Sequence, residues 1–155
     1  MQLSAPLNAA EQAAAKAGVR LTTKRKNVLA LLMATGKPLS AYELADLYKV
    51  QLEQAIPPMS VYRMLDFLTE NNLAHKLSSE NKFIGCAHAN CEHSHGIPQF
   101  LICERCNQVK EIAINKDVFN ELENAVTDAG FTLIKPQLEL KCLCDACSKL
   151  TRTNT

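Results

Sequence analysis

This chain has no uninterrupted apolar run approaching the ~20 residues needed to cross a bilayer, so no membrane-spanning helix is expected. Nor has it the basic start and following apolar stretch of a secretory leader, because its N-terminus is alanine-rich and partly polar. With seven cysteines, an odd number, a reducing cytoplasm is the simplest compartment. His-Glu-x-x-His is absent, which removes one signature of a zinc hydrolase. Net charge is nearly absent too, at +1. That balance conceals a local excess: Lys16, Arg20, Lys24, Arg25 and Lys26 follow one another with no acidic residue among them. Such a run is either a solvated face or a nucleic-acid footprint, and a reading motif beside it decides between the two. The 155 residues suffice for one ordinary domain or two small ones, and a small domain gains most from a metal staple.

What is present begins with two cysteine pairs, Cys103-Glu104-Arg105-Cys106 and Cys144-Asp145-Ala146-Cys147. Two residues between cysteines let the backbone turn tightly enough for both sulfurs to reach one ion at about 2.3 Å, and a second pair completes a tetrahedron. Asn107 fits such a turn, since asparagine is among the few side chains that tolerate φ above zero. The competing reading is a pair of disulfides or redox-active motifs. Two pairs far apart in sequence make a more natural four-cysteine zinc set than two unrelated redox centres.

Residues 1–74 read as helices separated by clear punctuation. Asn8 to Ala17 ends at Gly18, and Thr23 to Ala34, with Val28, Leu31 and Leu32 on one face, ends at Gly36. Ser40-Ala41-Tyr42-Glu43 has the form of a capping box, opening a helix that carries Leu44, Leu47 and Tyr48. Pro57 and Pro58 stop any continuation. A last helix from Met59 or Ser60 to about Asn71 sets Val61, Leu65 and Leu68 in one stripe, leaving Ser60, Tyr62, Arg63 and Asp66 off it. Two strand-like pieces, 73–77 and 82–86, flank the turn-forming Ser78-Ser79-Glu80-Asn81. Helices followed by a hairpin is the order of a winged helix-turn-helix, whose last helix enters the major groove. Ser60, Tyr62 and Arg63 are residue types that read bases or hold phosphates there, and equally types found on any surface.

Between the halves, residues 86–95 hold Cys86, Cys91, His88, His93 and His95, and the one other histidine, His75, lies on the preceding strand piece. Imidazoles and thiolates are zinc ligands, and a segment joining two domains can bring ligands from both to one ion; a solvated polar loop is the alternative. Gln99 to Cys103 and Val109 to Ile114 read as strands flanking the first cysteine pair. Asn115 caps a helix from Lys116 to Ala129, with Val118, Leu122, Ala125 and Val126 on its apolar side and Gly130 beyond. Phe131 to Ile134 and Leu138 to Leu140 read as a final strand region at a sheet edge, interrupted by Pro136, and residues 148–155 as a frayed tail.

Taken together, Leu21-Thr22-Thr23-Lys24-Arg25, Ser60-Val61-Tyr62-Arg63, the histidine-rich segment, Phe100 to Cys106 and the terminal Cys144-x-x-Cys147 resemble the ferric uptake regulator family of bacterial metal-dependent repressors. Asn81 to Cys86, with its soft ligand Cys86, is most similar to the zinc uptake regulator branch. The resemblance implies an α+β chain: a winged helix-turn-helix DNA-binding domain at 1–85, a metal-binding hinge at 86–98, and a small α/β dimerisation domain at 99–155 holding the structural four-cysteine zinc site. It implies a homodimer that, loaded with Zn2+, binds a palindromic AT-rich double-stranded DNA operator of zinc-uptake genes. By position, Cys103, Cys106, Cys144 and Cys147 match the structural site. His75, Cys86, Glu111 and one hinge histidine, His95 or His93, match a regulatory site, His95 being preferred because it is nearer the strand that carries Phe100. Tyr42, Tyr62 and Arg63 match DNA-contacting positions and Arg25 a basic one. Iron-sensing members carry a compact His-His-Asp-His run near the first cysteine pair; here Glu92-His93-Ser94-His95 stands farther off. His88, Cys91 and Cys142 have no counterpart and leave room for a third site. The alternatives are an iron- or peroxide-responsive member of the same family, a zinc-dependent hydrolase, for which four cysteines leave no open coordination position, and a thiol redox protein.

Overall fold

In the computed structural model, which describes residues 1–86 and 97–152, the chain is α+β and divides into two compact units, Met1–Glu92 and His93–Thr155. The first unit holds α1 (Ser4–Lys16), α2 (Thr23–Thr35), α3 (Ala41–Leu52), α4 (Pro58–Glu70) and the antiparallel strands β1 (Ala74–Leu77) and β2 (Lys82–Gly85). Each boundary has a local cause. The Thr22 side chain accepts the Arg25 N–H to start α2, and Gly36, at φ 58°, ends it in the left-handed region. Ser40 and Glu43 form the reciprocal capping box, at 3.1 Å and 2.8 Å, that opens α3. Pro58 occupies the first turn of α4, where a missing N–H costs nothing, so this helix starts one residue before the expected Met59. Likewise α1 starts at Ser4 and not Asn8, because Pro6 falls within its first turn.

Leu29, Leu31, Leu32, Leu44, Tyr48, Leu65, Leu68, Leu73 and Phe83 fill the core of this unit. The β1–β2 hairpin pairs His75 with Ile84 and Lys76 with Phe83. Leu39, just before α3, exchanges both backbone hydrogen bonds with Phe83, at 2.8 and 2.9 Å. The hairpin is therefore held against the helix-turn-helix segment by backbone pairing, which gives the wing a fixed place beside α3.

The second unit holds β3 (Ile97–Cys103), β4 (Val109–Ile114), α5 (Lys116–Asp128), β5 (Glu139–Cys142) and α6 (Asp145–Arg152). Its sheet runs β4-β3-β5, with β3 antiparallel to β4 and parallel to β5, so β5 lies at an edge as expected. Two expectations need correction. Phe131 to Ile134 forms no strand: the Phe131 and Gly130 N–H groups bond the Val126 and Thr127 carbonyls in a Schellman closure of α5, with Gly130 at φ 84°. The tail is not frayed at 148, because α6 begins inside the second cysteine pair, with Ser148 N–H on the Cys144 carbonyl at 2.8 Å. The α5 helix is capped by Asn115 as expected and buries none of its residues: Val118 is 55% exposed, and beyond the helix Phe131 and Ile134 are 71% and 86% exposed. No helix among the described residues is long and apolar enough to cross a membrane.

Candidate metal centre and nucleic-acid interface

β3 ends at Cys103, where the chain reverses. Asn107 takes φ 58°, its N–H bonds the Cys103 carbonyl at 2.9 Å, and the Cys103 N–H bonds the Gln108 carbonyl at 2.9 Å. This tight reversal exposes Cys106 and keeps Cys103 buried. The second pair follows β5. Cys103 and Cys142 are register partners across the parallel strands, which brings Cys144 back to Cys103; the Cys144 N–H donates to Cys103 Sγ at 3.4 Å, and Cys147 lies buried in the first turn of α6. The four sulfurs lie within 4.8 Å of one another, and Cys106 Sγ stands 3.8 Å from Cys144 Sγ. That distance is far too long for a disulfide, near 2.05 Å, and equals the edge of a tetrahedron with arms of about 2.3 Å, roughly 3.8 Å. The donor set fits one tetrahedral zinc ion with no position left open.

The sulfurs do not share their protons equally. The backbone N–H groups of Cys144, Cys106 and Arg105 hold the Cys103 thiol down to about 6, against an opposing push from burial. Hydrogen bonding to the Cys144 sulfur, followed by burial, pushes Cys147 up to about 12. At neutral pH the metal-free site thus holds a thiolate at Cys103 and a thiol at Cys147. Filling it must expel at least the Cys147 proton, so zinc affinity should fall at least about tenfold per pH unit on acidification. Below about pH 6, protonation of Cys103 should steepen the fall. Competition against a chromophoric chelator from pH 8 to 5.5 measures this slope, and a flat profile would contradict the assignment of the protons.

The expected regulatory ligands are placed as follows. His75 lies on β1; Cys86 follows β2, and its N–H continues the hairpin by bonding the Leu73 carbonyl at 3.0 Å. A ring nitrogen of His75 and the Cys86 sulfur lie within 4.8 Å of each other, both residues half-buried. Glu111 lies on β4 opposite Phe100, also half-buried. His88, Cys91, His93 and His95 fall outside the described residues. Cys142 is half-buried on β5 and directs its thiol to the Leu140 carbonyl at 3.5 Å, outside the tetrad.

On the first unit, α4 buries Val61, Leu65 and Leu68 and leaves Arg63 exposed and Ser60 and Tyr62 half-exposed. No side chain caps its N-terminus; Pro58 has no N–H to offer, and the Ser60 and Val61 N–H groups bond the Pro57 carbonyl at 3.0 and 3.2 Å. The Tyr62 ring meets Tyr42 of α3 edge to face, with centroids 6.4 Å apart and planes at 84°. The Arg25 guanidinium lies 3.8 Å above the Phe67 ring, a cation–π contact that joins the start of α2 to α4. Lys26 is instead paired with Glu11 at 3.0 Å, so the basic run is only partly available to a partner. Lys82 of the wing reaches Glu43 of the capping box at 3.2 Å, and the Ser40 backbone N–H holds the Glu43 carboxyl below its usual range. Two residues that sequence reasoning missed thus support the expected ones: Phe67 as the platform for Arg25, and Lys82 as the tie between wing and α3. Phe67 alternates with the buried stripe of α4, and no local pattern marks which cation an aromatic ring will receive.

The model of the ferric uptake regulator family matches residues 16–141. The zinc uptake regulation protein of Escherichia coli (strain K12) is 38% identical over 138 residues, covering 89% of this chain and 78% of that protein. Among solved structures, a zinc uptake regulator complexed with zinc and DNA aligns with a TM-score of 0.78 at 34% identity, over 98% of this chain and 99% of its own. Holo XcZur aligns with a TM-score of 0.74 at 40% identity, over 92% of this chain and 96% of its own.

Proposed function

Since this chain belongs to the ferric uptake regulator family, we propose that it is a zinc-responsive transcriptional repressor which, as a cytoplasmic homodimer, binds palindromic AT-rich operators of zinc-uptake genes. The observation that carries this reading is the cysteine–histidine pair, Cys86 and His75, on the wing that directly follows α4. A cysteine sulfur beside an imidazole softens the site and favours zinc over iron(II), whereas nitrogen and oxygen ligands alone would suit iron. Glu111 and a hinge histidine, His95 or His93, complete the proposed regulatory set. When bound, zinc supplies a cross-link among these ligands. Because they come from the wing, the hinge and β4, metal occupancy and the separation of two α4 helices in a dimer become linked quantities, and operator binding must tighten zinc as zinc tightens operator binding.

The second copy has a surface suited to it. The amphipathic α5 and the exposed Phe131 and Ile134 leave apolar side chains uncovered, and a twofold pairing of the second unit through them would cover them. Tyr42, Ser60, Tyr62 and Arg63 form the proposed reading face, with Arg25 on phosphate. A hydrolase is disfavoured: the tetrad offers no open coordination position and the chain has no His-Glu-x-x-His.

The test is retardation of an AT-rich palindromic duplex by purified protein, with zinc, after chelation, and after restoration with zinc or iron(II). Chelation should abolish binding and zinc alone should restore it; restoration by iron(II) alone would favour the iron-responsive member of the family. In the same assay Arg63→Ala should cost about 1–3 kcal/mol and relax preference at one operator position. Arg25→Ala should weaken all sequences alike and reduce the salt slope by about one. Equal losses across all operator variants for Arg63→Ala would make it a phosphate contact instead.

A further inference from the structure

We propose that Met59 is an additional base-reading residue, whose side chain covers the 5-methyl group of a thymine in the major groove; the inference rests on α4 being the reading helix. Met59 stands in the first turn of α4 and is 66% exposed. Val61, Leu65 and Leu68 on the same helix are fully buried and supply its packing, so Met59 contributes little to the core. A single exposed apolar side chain is ordinary on a protein surface; its position is what sets this one apart. Met59 lies three residues before Tyr62 and four before Arg63, the spacings that place side chains side by side on one face of a helix. That face also meets Tyr42, 63% exposed, through its edge-to-face contact with Tyr62. The proposed reading face therefore combines one guanidinium with exposed apolar and aromatic side chains.

The chemistry of the groove supplies the match. The thymine methyl is the apolar group that base pairs display there, beside the oxygen and nitrogen acceptors that an arginine takes. The first turn of a reading helix is the part that approaches base edges most closely. Pro57, at φ −62° and ψ 140°, and Pro58 fix the backbone entering α4, so the Cα of Met59 has a set position. Its unbranched thioether then adapts to the exact place of the methyl group. A lysine or glutamate here would be attracted or repelled by phosphates without regard to sequence; methionine responds to the methyl alone.

Deoxyuridine in place of thymidine removes that methyl and nothing else, which makes a clean test. Duplexes selected from a randomised pool by the zinc-loaded wild-type protein are resynthesised with each thymine in turn replaced by deoxyuridine. Binding is then measured for the wild type, Met59→Ala and Met59→Leu. The wild type should lose about three- to fivefold at one thymine, the size expected for uncovering one methyl group. Met59→Ala should bind the two forms of that site equally while keeping its sensitivity elsewhere, and Met59→Leu should retain the discrimination. Because the side chain is exposed, the melting temperature should be unchanged in both variants. A wild-type profile insensitive to every replacement, or one that Met59→Ala reproduces at all positions, would overturn the role of Met59 and leave the regulator reading standing. Failure of the zinc-loaded wild type to select any duplex would overturn both.

Discussion

Cys103→Ser is expected to release zinc from the tetrad, lower the melting temperature of the second unit by more than about 10 °C, and abolish the dimer. The reason lies in how little else holds that unit together. Its buried residues among those described are Gln99, Phe100, Ile102, Cys103, Val109 and Cys147, so two of the few core positions are themselves sulfur ligands. Cys103 joins three parts at once: it ends the central strand, faces Cys142 in the β5 register, and accepts the Cys144 N–H. Serine preserves the size of the side chain but does not ionise near neutrality, so the metal would lose its most readily deprotonated ligand. A unit short of apolar core then loses its main cross-link, and the uncovered face of α5 loses the framework that presents it. Zinc per chain, thermal denaturation and sedimentation equilibrium together test this. A Cys103→Ser protein that stays dimeric, zinc-replete and as heat-resistant as the parent would end the structural assignment of the tetrad.

Much of this architecture could be read from local sequence because its causes are local. Ser40 and Glu43 stand three apart and satisfy each other's orphan amides, Gly36 and Gly130 close their helices at positive φ, and Asn107 turns the first cysteine pair. None of these needs a distant partner. The misread parts depend on distant ones. Gln99 is buried and uses its side-chain amide on the backbone of the segment before β5, donating to the Pro136 carbonyl at 2.8 Å and accepting the Leu138 N–H. That clamp, with the Schellman closure at Phe131, accounts for a chain that reads as strand from 131 to 134 yet pairs only from Glu139. Similarly α6 begins where Cys144 returns to Cys103, and its Thr151 receives a bond from Arg105 at 3.4 Å. At the candidate site the spacing of the cysteines announced the tetrad directly, since four thiolates in two pairs have few other uses. The platform beneath Arg25 was not legible, because Phe67 reads only as one more apolar residue of α4.

Cys86→Ser should leave the tetrad zinc, the dimer and the fold intact while lowering zinc-dependent operator affinity about 10- to 100-fold, the range of a typical coupling free energy. Cys86 follows the wing strand eleven residues after His75 and opens the histidine-rich segment. Its backbone N–H, bonded to the Leu73 carbonyl, holds the end of the hairpin and is untouched by the substitution, so the wing should keep its shape. What changes is the sulfur, a strong zinc ligand replaced by a weak one. The competing explanation is that a half-buried cysteine merely packs as a small apolar side chain, and the two differ in what the substitution moves. A ligand role predicts loss of one zinc per chain, a normal melting temperature for the metal-free protein, and an operator titration displaced to higher free zinc. His75→Ala and Glu111→Ala should displace it in the same direction. A packing role predicts the reverse: a lower melting temperature with an unmoved titration. The deciding measurement is operator binding against buffered free zinc for Cys86→Ser, and a curve that overlays the parent's would remove Cys86 from the regulatory site.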